Sequence, residues 1–136
     1  MSSDDLTICT VSFNSRDHLE MNWRLTSHLN PQAHVQWLVA ENSPSDTARF
    51  QVVAGTEFEP NRIDAATTHH ATALNKLLGL VETRFALVLD PDFYIVRRNW
   101  AAEVTAYMQA HDLTFLGVPW HPRWHSKIRY FPSAHC

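Results

Sequence analysis

The chain has 136 residues, with 11 Lys and Arg against 14 Asp and Glu for a formal charge of −3, 9 His, 2 Cys and only 3 Gly. That length supports one domain with its own core, and a composition 45% hydrophobic and 18% charged excludes a disordered polyelectrolyte. Mild acidity excludes attachment to nucleic acid through a general basic surface, and Gly55, Gly79 and Gly117 stand too far apart to form a glycine-rich dinucleotide turn or phosphate loop.

In chain order, Leu6 to Phe13 (LTICTVSF) is β-branched and apolar and predicts a strand. It ends at Asn14-Ser15, either of which can cap the next helix, where Leu19, Trp23 and Thr26 recur at helical spacing until Asn30-Pro31. Val35 to Ala40 (VQWLVA) predicts a second strand running into Glu41-Asn42-Ser43-Pro44-Ser45-Asp46, with Ser43 placed to cap a short helix beginning at Pro44. Residues 51–68 carry a weaker pattern, read as a short helix into Val53 and an irregular strand near Arg62 to Ala65. His70 to Glu82 predicts a helix with Ala71, Leu74, Leu77, Leu78 and Val81 on one side. Phe85 to Leu89 (FALVL) has the form of a central parallel strand buried on both faces, and it ends at Asp90-Pro91-Asp92. A helix over Trp100 to His111, burying Val104, Tyr107 and Met108, and a strand over Leu113 to Val118 follow. Alternating strands and helices predict an α/β fold: an open, mostly parallel sheet with helices on both faces, which binds ligands beyond the carboxyl ends of its strands.

The charge is uneven: residues 1–68 hold 4 basic and 9 acidic side chains, residues 69–136 hold 7 and 5, and no acid follows Asp112. Cys9, in an apolar run, and Cys136, at the last position, form no disulfide framework, which suggests a reducing compartment. No secretory leader pattern opens the chain, and Phe85 to Leu89 is its longest aliphatic or aromatic run, against roughly 20 residues for a membrane span. The expectation is a soluble, cytoplasmic protein, with peripheral membrane association left open.

Asp90 and Asp92 carry the most chemical information. Two carboxylates two residues apart at a strand end share a side if the backbone stays extended, and Pro91 biases Asp90 away from the helical region. Such a pair suits Mg²⁺ or Mn²⁺, which takes one or two carboxylates together with substrate phosphates. A diphosphate is then neutralised by metal without a glycine cradle. The competing reading is a plain solvated turn.

The order LTICTVSFNS, VQWLVAENSPSD, HHATALNKLLGLVETRFALVLDPDFYI, spanning about Leu6 to Trp100, resembles the donor-binding half of family 2 glycosyltransferases with the GT-A fold. The resemblance implies an inverting, metal-dependent transfer of a sugar from a nucleoside diphosphate sugar to an acceptor hydroxyl on an unidentified glycan, lipid or protein. It puts Val11 and Phe13 at base-contacting positions, and Glu41 at a base- or ribose-reading position where the family usually has Asp. Asp90 falls at a ribose or metal position, and Asp92 is the main metal ligand. His69 or His70 falls near a position where the family often has a basic side chain; both are equally read as surface or capping residues, and Asn75 as a packing residue. No nucleic-acid partner is implied.

The family's general base is a carboxylate well downstream of the D-x-D, whereas this chain has only Glu103 and Asp112 after Asp92, both in or at the end of a predicted helix. The resemblance therefore implies a truncated donor half: a nucleotide-sugar-binding α/β region over 1–117, then an aromatic and basic tail over 118–136 that begins the acceptor side. That tail, with Trp120, Trp124, Tyr130 and Phe131 among Arg123, Lys127 and Arg129, also admits a base-stacking reading. Its His121, His125, His135 and Cys136 admit a zinc reading, which Pro119 and Pro122 disfavour. Two further function classes stand beside the enzyme: a non-catalytic nucleotide-sugar or protein-binding domain, and an unrelated nucleotide-binding α/β domain in which Asp90-Pro91-Asp92 is only a turn.

Overall fold

The computed structural model describes residues 6–43, 61–64 and 70–117, with the side chains of 61–64 excepted. Within them the order is β1 (Leu6–Ser12), α1 (Arg16–Leu29), β2 (Val35–Glu41), β3 (Asn61–Asp64), α2 (His70–Leu78), β4 (Phe85–Val88) and α3 (Trp100–Ala110). The strands form one sheet in the order β3-β2-β1-β4, and every neighbouring pair is parallel. This is an α/β fold with an open parallel sheet. The expected helix from Pro44, the short helix into Val53, His69 and the tail over 118–136 lie outside the described residues.

Strand β1 is buried along its whole length because both of its faces are covered. Alternation sends Leu6 and Ile8 to one side, where they join Trp37, Val39 and Leu89 beneath Leu19 of α1 and Trp100 and Ala101 of α3. Cys9 and Val11 go to the other side, with Leu38 and Ala40, beneath Ala73 and Leu77 of α2. Cys9 is fully enclosed, and burial pushes its thiol up to about 11. The folded state therefore keeps its proton where the unfolded chain releases it. Stability from this group is complete at neutral pH and falls above the ordinary thiol range, by roughly 1.4 kcal/mol per pH unit until about pH 11. Urea midpoints at pH 7 and pH 10 check this: the drop is steeper for the native sequence than for Cys9→Ala.

Several sequence expectations need correction. Neither Asn14 nor Ser15 caps α1 with its side chain: Ser15, at the N-cap position, makes no side-chain cap bond and donates its hydroxyl to the Phe13 carbonyl at 2.8 Å. Helix α2 stops at Leu78, four residues early, because Gly79 is a poor helix residue and the backbone tightens into i→i+3 bonds from Leu80 to Leu77 and Val81 to Leu78. Ala73 and Leu77 face the core, and the expected Leu74 and Val81 pack beside them half-buried, whereas Ala71 and Leu78 are exposed. Strand β4 is not buried on both faces: among the described residues it pairs with β1 alone, and Ala86 is exposed.

Helix α3 buries Trp100, Ala101 and Thr105, while Val104 and Tyr107 face outward and Met108 is half-buried. Trp100 drops into the core and Asn30 holds the Ala101 amide, and these two anchors set the roll of the helix. Residues 113–117 form no strand, and Phe115 and Leu116 are exposed. A short apolar run becomes a strand only where an edge is there to pair with it.

Candidate functional site

The connections leaving β1 diverge. Strand β2 lies on one side of it and β4 on the other, with α1 on one face of the sheet and α2 on the opposite face. The carboxyl ends of β1 and β4 therefore flank a topological switch point, the position where open α/β sheets bind ligands. The β1 loop (13–15) and the segment after β4 (89–94) follow these two strand ends.

Register explains how these segments meet. Cys9 is aligned with Val88, and the Leu89 amide donates to the Cys9 carbonyl at 3.1 Å, so the aspartate segment leaves the sheet beside the end of β1. The backbone does not stay extended there. Phe93 N–H donates to the Asp90 carbonyl at 3.0 Å, closing a turn over Asp90-Pro91-Asp92-Phe93. Pro91, whose fixed φ favours an extended Asp90, is equally suited to the second position of a β-turn. Turn closure wins because α1 holds it: Asn22 donates through Nδ2 to the Phe93 carbonyl at 2.8 Å and to the Pro91 carbonyl at 3.3 Å. Just beyond, His18 Nδ1 and Tyr94 Oη share a hydrogen bond of 2.6 Å, tying the start of α1 to the same segment.

The two carboxylates thus occupy the first and third positions of a pinned turn. Asp90 is half-buried and engaged in a polar contact, whereas Asp92 is exposed and has no side-chain partner in the described structure. Among the described residues no three His, Cys, Asp or Glu side chains converge as a metal site. Within the described turn, the oxygen ligands on offer are the carboxylates of Asp90 and Asp92.

Of the other residues singled out in the sequence, Phe13 directly follows β1 and is 57% exposed. Val11 is in the core beside α2, and Glu41 is enclosed at 1% exposed, aligned with Ser12 of β1. His70 begins α2 and is exposed, as is Asn75 farther along it. Thr10, Ser12, Asn22, Glu41 and Ser43 make this end of the sheet a buried polar layer. The Oγ atoms of Thr10 and Ser12 find no hydrogen-bond partner in the described structure.

Sequence reasoning missed Asn22, His18 and Tyr94. Asn22 left one legible signal, a polar residue on the same helical face as Leu19 and Thr26. Replacing it with Ala frees two carbonyls that sit in a turn water can reach, so the expected cost is about 1 kcal/mol, measured by urea unfolding.

No helix among the described residues is long and apolar enough to cross a membrane. No protein-family model, curated protein or solved structure matches this chain.

Proposed function

We propose that this chain binds a nucleoside diphosphate sugar as the donor-binding half of an inverting, metal-dependent glycosyltransferase of the GT-A type. One observation carries the reading: at the switch point of a parallel β3-β2-β1-β4 sheet the exposed aromatic Phe13 follows β1 and the pinned Asp90-Pro91-Asp92 turn follows the neighbouring β4. Phe13 offers a face for a base, the turn offers carboxylates on the diphosphate side, and the intervening strand ends orient the donor. Asp92, with Asp90, would hold Mn²⁺ or Mg²⁺, and the ion when bound supplies Lewis-acid stabilisation of the leaving diphosphate. His69 stays in the proposal only through the resemblance.

No general base is assigned. Glu103 pairs with Arg97, and Asp112 follows the end of α3. That engagement of Glu103 favours a second reading, a binding domain that holds the donor without transferring its sugar. Calorimetric titration with UDP, GDP and ADP, with and without Mn²⁺, tests donor binding; affinity indifferent to metal removes the metal site from the proposal. Sugar transfer by this chain alone overturns the assignment of donor binding without a base.

A further inference from the structure

The loops after β1 and β2 are joined by a buried relay. Glu41 Oε1 accepts the Ser43 N–H at 2.9 Å, and Ser43 Oγ accepts the Asn14 N–H at 2.8 Å. Alongside it, the Ser12 carbonyl accepts the Asn42 N–H at 2.7 Å. Glu41 and Ser43 are enclosed, while Phe13, between Ser12 and Asn14, stands exposed. Asn14 has φ 51, in the left-handed region that disfavours side-chain-bearing residues and that Asn tolerates better than most. Ser43 accepts the amide of that same residue. The bond therefore falls where the backbone turns sharply, immediately after Phe13.

A carboxylate that reads a base edge must be open to accept the base N–H. Glu41 is closed off and its Oε1 takes a backbone amide. We propose that Glu41 and Ser43 are positioning residues that build Phe13 into a stacking platform, so that a nucleoside diphosphate is held by base stacking and phosphate–metal contact without carboxylate readout of its base. This inference rests on the donor-binding reading. Stacking tolerates every base because each has a π-face, and the site accordingly ranks UDP, GDP and ADP within about tenfold of one another.

The test titrates the full chain with the three diphosphates in Mn²⁺, comparing the native sequence with Glu41→Gln, Ser43→Ala, Phe13→Ala and the Ser43→Ala/Phe13→Ala pair. Glu41→Gln keeps an acceptor oxygen for the Ser43 amide and changes all three affinities by one common factor. Ser43→Ala weakens all three by about fivefold, as expected for one lost hydrogen bond, and Phe13→Ala by about tenfold. The pair is no worse than Phe13→Ala, because Ser43 acts through Phe13. Hydrogen exchange at the Asn14 amide accelerates in Ser43→Ala and not in Phe13→Ala. A strong preference for one base that collapses in Glu41→Gln overturns the inference, as do additive losses in the pair. Failure of all three diphosphates to bind the native chain overturns the donor-binding reading itself and this inference with it.

Discussion

Asp92→Ala is expected to abolish the manganese-dependent part of the nucleoside diphosphate binding proposed for this chain and to leave the urea midpoint where it was. The two halves of this expectation come from the same geometry. Asp92 occupies the third position of a turn closed by the Phe93–Asp90 backbone bond and pinned from α1 by Asn22. Its carboxylate is exposed and has no partner in the described structure, so nothing in the fold is lost with it. Surface changes of that kind stay within about 0.5 kcal/mol. A hard cation held by only two carboxylates has no ligand to spare, and the expected loss of metal-dependent affinity is about 100-fold or more. Calorimetry with and without Mn²⁺, paired with urea unfolding, separates the site from the scaffold. Asp90→Ala does not separate them, because Asp90 is half-buried and engaged.

Asn30→Ala is expected to cost about 2 kcal/mol of stability. Asn30 is buried at the end of α1, and its one amide group serves two helices. Nδ2 donates to the Thr26 carbonyl at 2.9 Å, which also accepts the Asn30 backbone N–H at 3.0 Å. Oδ1 accepts the Ala101 N–H at 2.9 Å, in the first turn of α3. The backbone reinforces the junction: Asn99 N–H donates to the Leu29 carbonyl at 2.8 Å, and Asn99 takes the left-handed conformation at the start of α3. Alanine removes a capping side chain worth about 1 kcal/mol and leaves the Ala101 N–H unpaired at about 1 kcal/mol, while the Thr26 carbonyl keeps the backbone N–H that follows α1. For a domain of this size the melting temperature falls by about 7 °C, measured by calorimetry or circular dichroism. A fall under 2 °C would mean that the two helix ends find other partners.

The elements with strong periodicity were legible in the chain itself. LTICTVS and VQWLVAE became strands because continuous β-branched and apolar residues suit a position covered on both faces. Arg16–Leu29 became a helix because Leu19, Asn22, Trp23 and Thr26 share a side. The weakly patterned NRID was placed to within a residue. Errors fell where a short apolar run was asked to decide its own surroundings. Phe85–Val88 and residues 113–117 have similar composition, yet the first pairs with β1 and the second pairs with nothing in the described structure.

At the strand ends, the sequence marked polar loops but not the contacts their side chains make. Asp90-Pro91-Asp92 was visible as a polar interruption after a buried run, and both an extended pair and a turn suited Pro91. Only the contact from Asn22, about seventy residues earlier, decides for the turn. Glu41 was visible as an acid at a strand end. Whether it faces ligand or backbone depends on Ser43 and on Asn14 across the neighbouring strand.

By itself, then, the sequence determined an α/β chain with acidic and aromatic residues at strand ends and no glycine phosphate loop, because local periodicity and backbone chemistry are properties of neighbouring residues. Tertiary structure alone decided the strand order β3-β2-β1-β4, the roll of α3, the closure of the aspartate turn and the inward bond of Glu41. Each of these depends on a partner far away in the chain, and one-dimensional pattern holds no record of which distant groups will meet.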